Sequence, residues 1–407
     1  MITLTSLMIM VMFFALVAKF FINSFYVIIL LASTSWFGII SNDIFGQVTP
    51  ENIIFCCSLS VIPLIFISRI EKRVLGLFVF PLFMVLLFIY GVFVSYNNGN
   101  QLALGIVDGK QMLSCLLIIH LIINIKKIKI NYFSYLFLMV GVIYSVYLFL
   151  ALIFNFNPPG YLPVRPDGVI DFSNTIHIPI IHYIFIGVAL LLCNRVSTPK
   201  GLRYLLLAVF FIALIIQSHS VVLYMTIISV ILSLYFNLKD YFKIIVISVF
   251  FSSSVLILLN TSFNNLHSAS IESRLVISAV RIDYILDNPY FGYGFVHEDS
   301  KLGKAFSEKS VGLHDKRMGT VDSGYLDMSI RFGVILSLLS LVVYARFCYK
   351  LLKFGVSEKI FVYFLALYIP SLLTWSLLSY NHGILMILFS LIFILTGKKN
   401  SNRKLIL

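Results

Sequence analysis

Residues 132–154 read YFSYLFLMVGVIYSVYLFLALIF, a run of 23 residues without a single Asp, Glu, Lys or Arg. A helix of roughly 20 apolar residues is long enough to cross the hydrocarbon core of a bilayer. This run therefore predicts a transmembrane helix. Similar runs recur along most of the chain, so the rest of the sequence can be interpreted from this one.

The composition supports the same interpretation. The chain has 407 residues, of which 60% are hydrophobic and 12% charged, and its mean hydropathy is +1.00. Soluble domains are about 45–50% apolar and about 25% charged. So much apolar surface cannot be buried in one water-facing core, and the 38 Phe and 22 Tyr suit lipid-facing surfaces and interfacial belts. The composition excludes a soluble domain and predicts a polytopic membrane protein.

Thirteen candidate spans follow from the apolar runs. They cover residues 2–18, 21–40, 52–68, 74–95, 103–125, 132–154, 176–193, 203–218, 220–236, 243–260, 323–345, 360–380 and 383–397. Two divisions rest on very short polar breaks, at Lys19 and at residues 217–220, so about 12 to 14 spans are expected. The predicted fold class is all-α, a polytopic helical membrane bundle. No removable signal peptide is expected, because the sequence starts apolar at Ile2 with no basic segment before the first apolar run and no small-residue cleavage site.

Basic residues collect in alternate connections between the spans. These connections hold 20 of the 30 Lys and Arg and three acidic residues, a net charge of +17, whereas the remaining connections carry −4. Cytoplasmic loops of membrane proteins are enriched in Lys and Arg. The pattern therefore predicts a cytoplasmic C-terminus. Because this charge suits anionic lipid at the membrane surface, nucleic acid is not an expected partner.

The polar residues divide the chain into four parts. Residues 1–260 form a transmembrane bundle with a small outside loop at 155–175, and residues 261–322 form one large extracytoplasmic loop. Residues 323–397 hold the C-terminal spans, and residues 398–407 form a basic cytoplasmic tail. Since loops on a rigid scaffold commonly carry function, the large loop is the expected place for an activity.

Three arginines in the outside loops are candidates for binding phosphate. Arg165 is the only basic residue between Lys129 and Arg195, and a guanidinium there can grip a phosphate through two hydrogen bonds. Arg274 and Arg281 are seven residues apart and would share one face of a helix, an arrangement that suits a diphosphate. The alternatives are a lipid-headgroup contact for Arg165 and a local ion pair for Arg281.

Residues 288–294, Asn-Pro-Tyr-Phe-Gly-Tyr-Gly, predict the end of a helix and a turn. A nucleotide-binding loop is disfavoured because no strand precedes the glycines and the GxGxxG spacing is absent. The chain also has no HExxH motif and no Cys/His cluster. Neither a metal site nor a cofactor is expected.

Charged residues at the return of the large loop to the membrane are further candidates. Asp327 and Arg331 are four residues apart inside an apolar segment, where ionisable groups are costly and usually functional. A structural salt bridge between them is the alternative. Asp322 or Ser323 can cap the next helix, and His314 can serve as a general base.

Taken in order, these pieces resemble the Wzy-type O-antigen and capsular polysaccharide polymerases, which share a superfamily with the O-antigen ligases. The matching pieces are Arg165 and Gly168 with Phe172-Ser-Asn174, residues 217–220, Arg274 and Arg281 before residues 288–294, and residues 321–326 leading into Arg331-Phe-Gly-Val-Ile. The resemblance covers residues 150–345 in motif and the whole chain in topology.

The resemblance implies a membrane glycosyltransferase of the C-type class in the cytoplasmic (inner) membrane. Such an enzyme joins oligosaccharide repeat units carried on undecaprenyl diphosphate, on the outer face, without a metal or a nucleotide sugar. A chain-length regulator is a candidate partner. The candidate catalytic residues are Arg165, Arg281, Asp322 and His314, and the candidate substrate-binding residues are Arg274, Asn174, Arg331 and Asp327.

Two other functions stay open at this point. O-antigen ligases tend to have His-Asn where this chain has Asp322-Ser323, which favours a polymerase over a ligase. The family often has an arginine where this chain has His219, so no essential charge is assigned there. A flippase or other transporter of lipid-linked oligosaccharides would have a similar number of spans, but such proteins usually lack one dominant outside loop and often show inverted repeats.

Overall fold

A computed structural model describes residues 4–34, 49–71, 74–154, 180–192, 196–216, 281–297, 299–300, 303–304, 324–353 and 381–396. All regular structure in these ranges is helical, and no strand occurs in them. The predicted all-α membrane fold is therefore confirmed. The predicted spans at 220–236, 243–260 and 360–380 lie outside the described residues.

The described helices follow the predicted spans closely. They are α1 (Leu4–Phe20), α2 (Ile22–Ser33), α3 (Pro50–Ile67), α4 (Val79–Asn97), α5 (Leu102–Gly109), α6 (Cys115–Asn124), α7 (Ile130–Phe154), α8 (Ile180–Leu192), α9 (Lys200–Ile216), α10 (Gly324–Lys353) and α11 (Asn381–Thr396). Four described segments are long and apolar enough to cross a membrane: Pro50–Ile67, Val79–Asn97, Leu102–Lys127 and Leu326–Leu351.

The predicted span at 103–125 is less regular than expected. It consists of α5, a 3₁₀ segment at Lys110–Ser114, and α6. A 3₁₀ stretch inside a longer helix has poorer hydrogen-bond geometry and often marks a functional or strained position. Two charged residues of this otherwise apolar run lie where the 3₁₀ segment starts, Asp108 near the end of α5 and Lys110 as the first residue of the 3₁₀ segment.

Small residues let the central helices pack closely. The ring of Phe210 in α9 lies against Gly141 in α7 and Gly187 in α8, and a Cβ at either glycine would be 2.9 Å from that ring. Close approach at glycines is a common way for transmembrane helices to associate, because lipid offers no hydrophobic drive toward packing. The apolar face of α1 behaves differently, since Met12 is 66% exposed there and suits contact with lipid.

Residues from connections predicted to be cytoplasmic meet at one end of the bundle. The Asn23 side chain, just after Lys19, accepts a hydrogen bond from the backbone amide of Lys129 at 2.9 Å. Lys126 forms a salt bridge with Glu71 at 2.8 Å. The structure thus brings three of the basic connections together, and the side of the membrane that they face stays a prediction.

Candidate functional site

Helix α10 is interrupted at Gly333, where φ is +76° and ψ is 166°. This backbone conformation is one that side chains with a Cβ rarely adopt. A break of this kind leaves backbone amides and carbonyls without their partners in the helix. At membrane depth such groups must be satisfied by protein, because no water is available to do so.

The segment 288–295 of the large loop provides hydrogen-bond partners for the backbone groups at the break. The amide of Tyr293 donates to the carbonyl of Ile330, and the amide of Gly294 donates to the carbonyl of Arg331, both at 2.8 Å. In return, the amide of Val334 donates to the carbonyl of Pro289 at 2.8 Å. The loop therefore replaces the hydrogen bonds that the helix loses at Gly333.

The same segment is also attached to α4. The amide of Phe295 donates to the carbonyl of Gly91 at 3.3 Å, and the hydroxyl of Ser95 donates to the carbonyl of Phe295 at 2.6 Å. We refer to residues 288–295, together with residues 91–95 of α4 and 330–334 of α10, as the loop seat. Backbone hydrogen bonds to two separate helices fix the position of the loop in this seat.

Glycines in the loop segment permit this close approach. Gly292 and Gly294 have φ values of +66° and +72°. A Cβ at Gly292 would lie 2.6 Å from the backbone of α10, and one at Gly294 would overlap the backbone of Gly91 and Ser95. Residues 281–287 are helical and the chain turns at 288–291, so the predicted helix end and turn are confirmed.

A charged cluster lies directly beside the loop seat. The guanidinium of Arg331 donates from Nε to Oδ1 of Asp327 at 2.9 Å and from Nη1 to Oδ2 of Asp108 at 2.5 Å. The exposed side-chain fractions are 10% for Arg331, 3% for Asp327 and 22% for Asp108. The ring of Phe295 lies 5.6 Å from the guanidinium carbon, within the range of a cation–π contact. We call Asp108, Asp327 and Arg331 the charged cluster.

Sequence reasoning found two members of this cluster and missed the third. Asp327 and Arg331 form the i, i+4 pair that their spacing allows. Asp108 was missed although it lies within the predicted span 103–125, where the rule that singles out ionisable groups in apolar segments applies equally. Lys110 follows the same rule, and its ammonium donates to the side chain of Asn52 in α3 at 3.0 Å.

Arg281 lies at the start of the helical residues 281–287, which lead directly into the loop seat. It is 6% exposed, and Tyr284 is equally buried one turn later. The rings of Tyr284 and Tyr293 are perpendicular, with centroids 6.3 Å apart. Burial raises the pKa of Tyr293, and the charge of Asp287 raises it further. A phenol is neutral at neutral pH and can donate a hydrogen bond, and the raised pKa keeps Tyr293 neutral at higher pH than usual.

Several predicted site residues cannot be placed. Arg165, Asn174, Arg274, His314 and Asp322 lie outside the described residues, so their predicted roles stay predictions. Within the described ranges, no group of three or more His, Cys, Asp or Glu side chains could hold a metal ion. The expectation that the whole chain has no metal site also stays a prediction.

The apolar helices, the broken helix α10 and the buried charged cluster define a multi-pass helical membrane protein with a candidate site where a loop meets the bundle. Residues 182–341, less than half of the chain, match the family model described as O-antigen ligase. Members of this family are membrane glycosyltransferase-like enzymes. A search of curated proteins and a search of solved structures each gave no significant match. The matched range includes Arg281 and most of the loop seat, but not Asp108.

Proposed function

We propose that this protein is a polysaccharide polymerase of the O-antigen or capsular type. It joins oligosaccharide repeat units carried on undecaprenyl diphosphate, at the outer face of the cytoplasmic membrane. The observation that carries the proposal is the loop seat, which bonds the segment that directly follows the helical residues 281–287 to the membrane helices α4 and α10. A lipid-linked diphosphate also lies where the membrane core meets the outside loops.

The length of α10 supports this placement. Its basic end begins at Arg346, an exposed residue 13 positions after Gly333, which corresponds to about 20 Å of helix. If Arg346 lies at the cytoplasmic boundary of a hydrocarbon core about 30 Å thick, Gly333 lies in the outer half. The loop seat and Arg281 then lie near the outer headgroups, where the diphosphate of the carrier lipid would be.

The proposed chemistry is glycosyl transfer with a diphosphate leaving group. The bond between the anomeric carbon of the growing glycan and the diphosphate oxygen breaks, and a hydroxyl oxygen of the incoming repeat unit bonds to that carbon. Undecaprenyl diphosphate leaves with the bonding electrons, and the hydroxyl proton passes to a base, for which Asp322 and His314 are the candidates. Arg165, Arg281 and Arg274 stabilise the charge that develops on the leaving group.

An O-antigen ligase is the second candidate, and the description of the matched family model favours it. The sequence feature that favours a polymerase is Asp322-Ser323, which stands where ligases tend to have His-Asn. Deleting the gene and profiling the glycans by chain length and by carrier separates the two. Loss of a polymerase leaves single repeat units on the final acceptor, whereas loss of a ligase leaves polymer on the carrier lipid. A transporter defect would instead strand repeat units on the cytoplasmic leaflet.

A substitution at Arg281 tests the residue that carries the proposal. Arg281→Lys keeps the charge but loses the planar fork that binds a phosphate through two hydrogen bonds, so polymer output of the complemented deletion strain should fall on the order of tenfold or more. Arg346→Lys, the same change at an exposed arginine near the C-terminal end of α10, is the matched control and should leave output unchanged. Wild-type polymer from the Arg281→Lys strain would rule out the proposed role of Arg281.

A further inference from the structure

Arg331 belongs both to the charged cluster and to the loop seat. Its side chain binds Asp108 and Asp327, while its backbone carbonyl accepts the hydrogen bond from Gly294. A shift of Arg331 therefore moves both the guanidinium and one of the hydrogen bonds that hold the loop. The carboxylates hold the side chain of Arg331 and the loop holds its backbone, so the two are coupled through one residue.

Phe295 provides a second link between the cluster and the seat. Besides facing the Arg331 guanidinium, its ring packs perpendicular to that of Phe332 at 5.7 Å. A Cβ at either Gly91 or Gly109 would overlap the Phe295 ring. One loop side chain thus fills a notch formed by α4, the end of α5 and α10.

The two carboxylates come from different helices. Asp327 belongs to α10 itself, whereas Asp108 is the penultimate residue of α5. The contact between Asp108 and Arg331 spans 223 positions in the sequence. It joins α5 to the shorter part of α10, which precedes the break. Charge-assisted hydrogen bonds of this kind are strong and directional where little water is present.

The contacts of Arg331 argue against direct contact with a substrate. Two of its N–H groups donate to the carboxylates of Asp327 and Asp108, and the Phe295 ring covers the guanidinium. An arginine that binds a diphosphate directly must offer its fork to the ligand. The earlier prediction that Arg331 and Asp327 bind substrate is untested, and this geometry favours a different role for them.

We infer that Asp108 and Asp327 are positioning residues, which hold Arg331 and thereby fix the loop seat and the helix that carries Arg281. They act on the transfer reaction without touching the substrate. This inference rests on the proposed function for its consequence in polymer output. Its structural part concerns only the attachment of the loop and can be tested without any activity.

The decisive variant is Asp108→Asn, because it removes one carboxylate while leaving the Asp327–Arg331 pair intact. Hydrogen exchange of the purified full-length chain in lipid nanodiscs should show the peptide covering residues 288–297 exchanging on the order of tenfold faster. The affinity for undecaprenyl diphosphate, measured on the same samples, should fall less than it does in Arg281→Ala, because Asp108 acts only through the position of Arg281. Polymer output in the complemented deletion strain should fall.

Two further variants serve as rescue and control. Asp108→Glu restores a carboxylate and should return both the exchange rate and the polymer output toward wild type. Glu71→Gln removes an exposed salt bridge with Lys126 at the other end of the bundle, where the two side chains are 50% and 56% exposed. It should change neither exchange in residues 288–297 nor polymer output.

Two results would overturn the inference. One is unchanged exchange of residues 288–297 in Asp108→Asn, and the other is a tenfold loss of undecaprenyl diphosphate affinity without a change in exchange. If Asp108→Asn raises exchange throughout the chain, Arg331→Lys, which keeps the charge but loses the fork, decides by the same two readouts. Failure of the proposed function is seen separately, as wild-type diphosphate affinity and polymer output in Arg281→Ala.

Discussion

Helices α10 and α11 both lie in the C-terminal part of the chain, but they are built in different ways. Residues 384–389 of α11 are all fully buried, and every one is apolar. Helix α10 exposes Leu338 and Val342 by 58% and 63%, yet buries Asp327 and Arg331. It is also broken at Gly333, whereas no break is recorded in α11.

This difference separates two uses of a membrane helix. An uninterrupted apolar helix such as α11 is buried on all sides and contributes packing, as the rings of Phe389 and Phe393 do against Phe137 at 5.3 Å. A helix with buried charges and a break can bind a loop, because the break offers backbone groups and the charges fix the neighbouring helix. Three substitutions test this contrast.

The largest effect is expected for Arg331→Met. Removing the guanidinium leaves the buried carboxylate of Asp327 and the partly buried one of Asp108 without their cation, and breaking a buried pair typically costs about 3–5 kcal/mol of stability. Thermal unfolding of the purified protein in detergent measures the loss. The matched change in α11 is Leu388→Met, a volume-conserving swap that should cost less than about 1.5 kcal/mol. Equal stability of the two variants would show that the cluster does not distinguish α10 from α11.

An intermediate effect is expected for Gly333→Ala. A side chain at this φ of +76° is strained, and its Cβ would overlap the carbonyl of Tyr290, so a loss of about 1–3 kcal/mol and faster exchange in residues 288–297 should follow. Gly201→Ala is the control, because Gly201 lies in α9 with nothing within 4 Å of the added Cβ. Alanine there should stabilise the helix by up to about 1 kcal/mol. A Gly333→Ala protein as stable as wild type would contradict the role assigned to the break.

The smallest effect is expected for Ser95→Ala. This change removes the hydrogen bond that the hydroxyl donates to the carbonyl of Phe295 and the one that it accepts from the Asn100 side chain, and it should cost about 1 kcal/mol. It should also raise the exchange of the amide of Phe295, as seen by hydrogen exchange. Ser134→Ala removes a hydroxyl that, among the described residues, bonds to the carbonyl four residues earlier in its own helix, so it should be nearly neutral. Indistinguishable exchange in the two variants would show that α4 does not hold the loop through Ser95.

The fold could be predicted from the sequence because lipid imposes a simple rule. Apolar runs of sufficient length become helices, and the run at 132–154 corresponds to α7 at Ile130–Phe154. The helix end at 288–294 was also predictable, because Asn, Pro and Gly act locally. These features depend on residues close together in the sequence.

The candidate site was less predictable because its contacts join distant parts of the chain. Gly333 follows Phe332 in an apolar span, and nothing local shows that its backbone is not helical. Its conformation depends on hydrogen bonds from residues 289–294. Asp108 could have been singled out by its position in an apolar run, but its pairing with Arg331 could not, since 223 positions separate them.

The interruption at Gly333 also has an electrostatic consequence. It divides α10 into two shorter helices, each with its own dipole, so that partial negative charge of about half an electron gathers on the last carbonyls of the first piece. Arg331 lies in that last turn, where the dipole favours a cation. The amide of Val334 opens the second piece and points its partial positive charge toward the loop carbonyl of Pro289. A continuous helix would have neither terminus at this position.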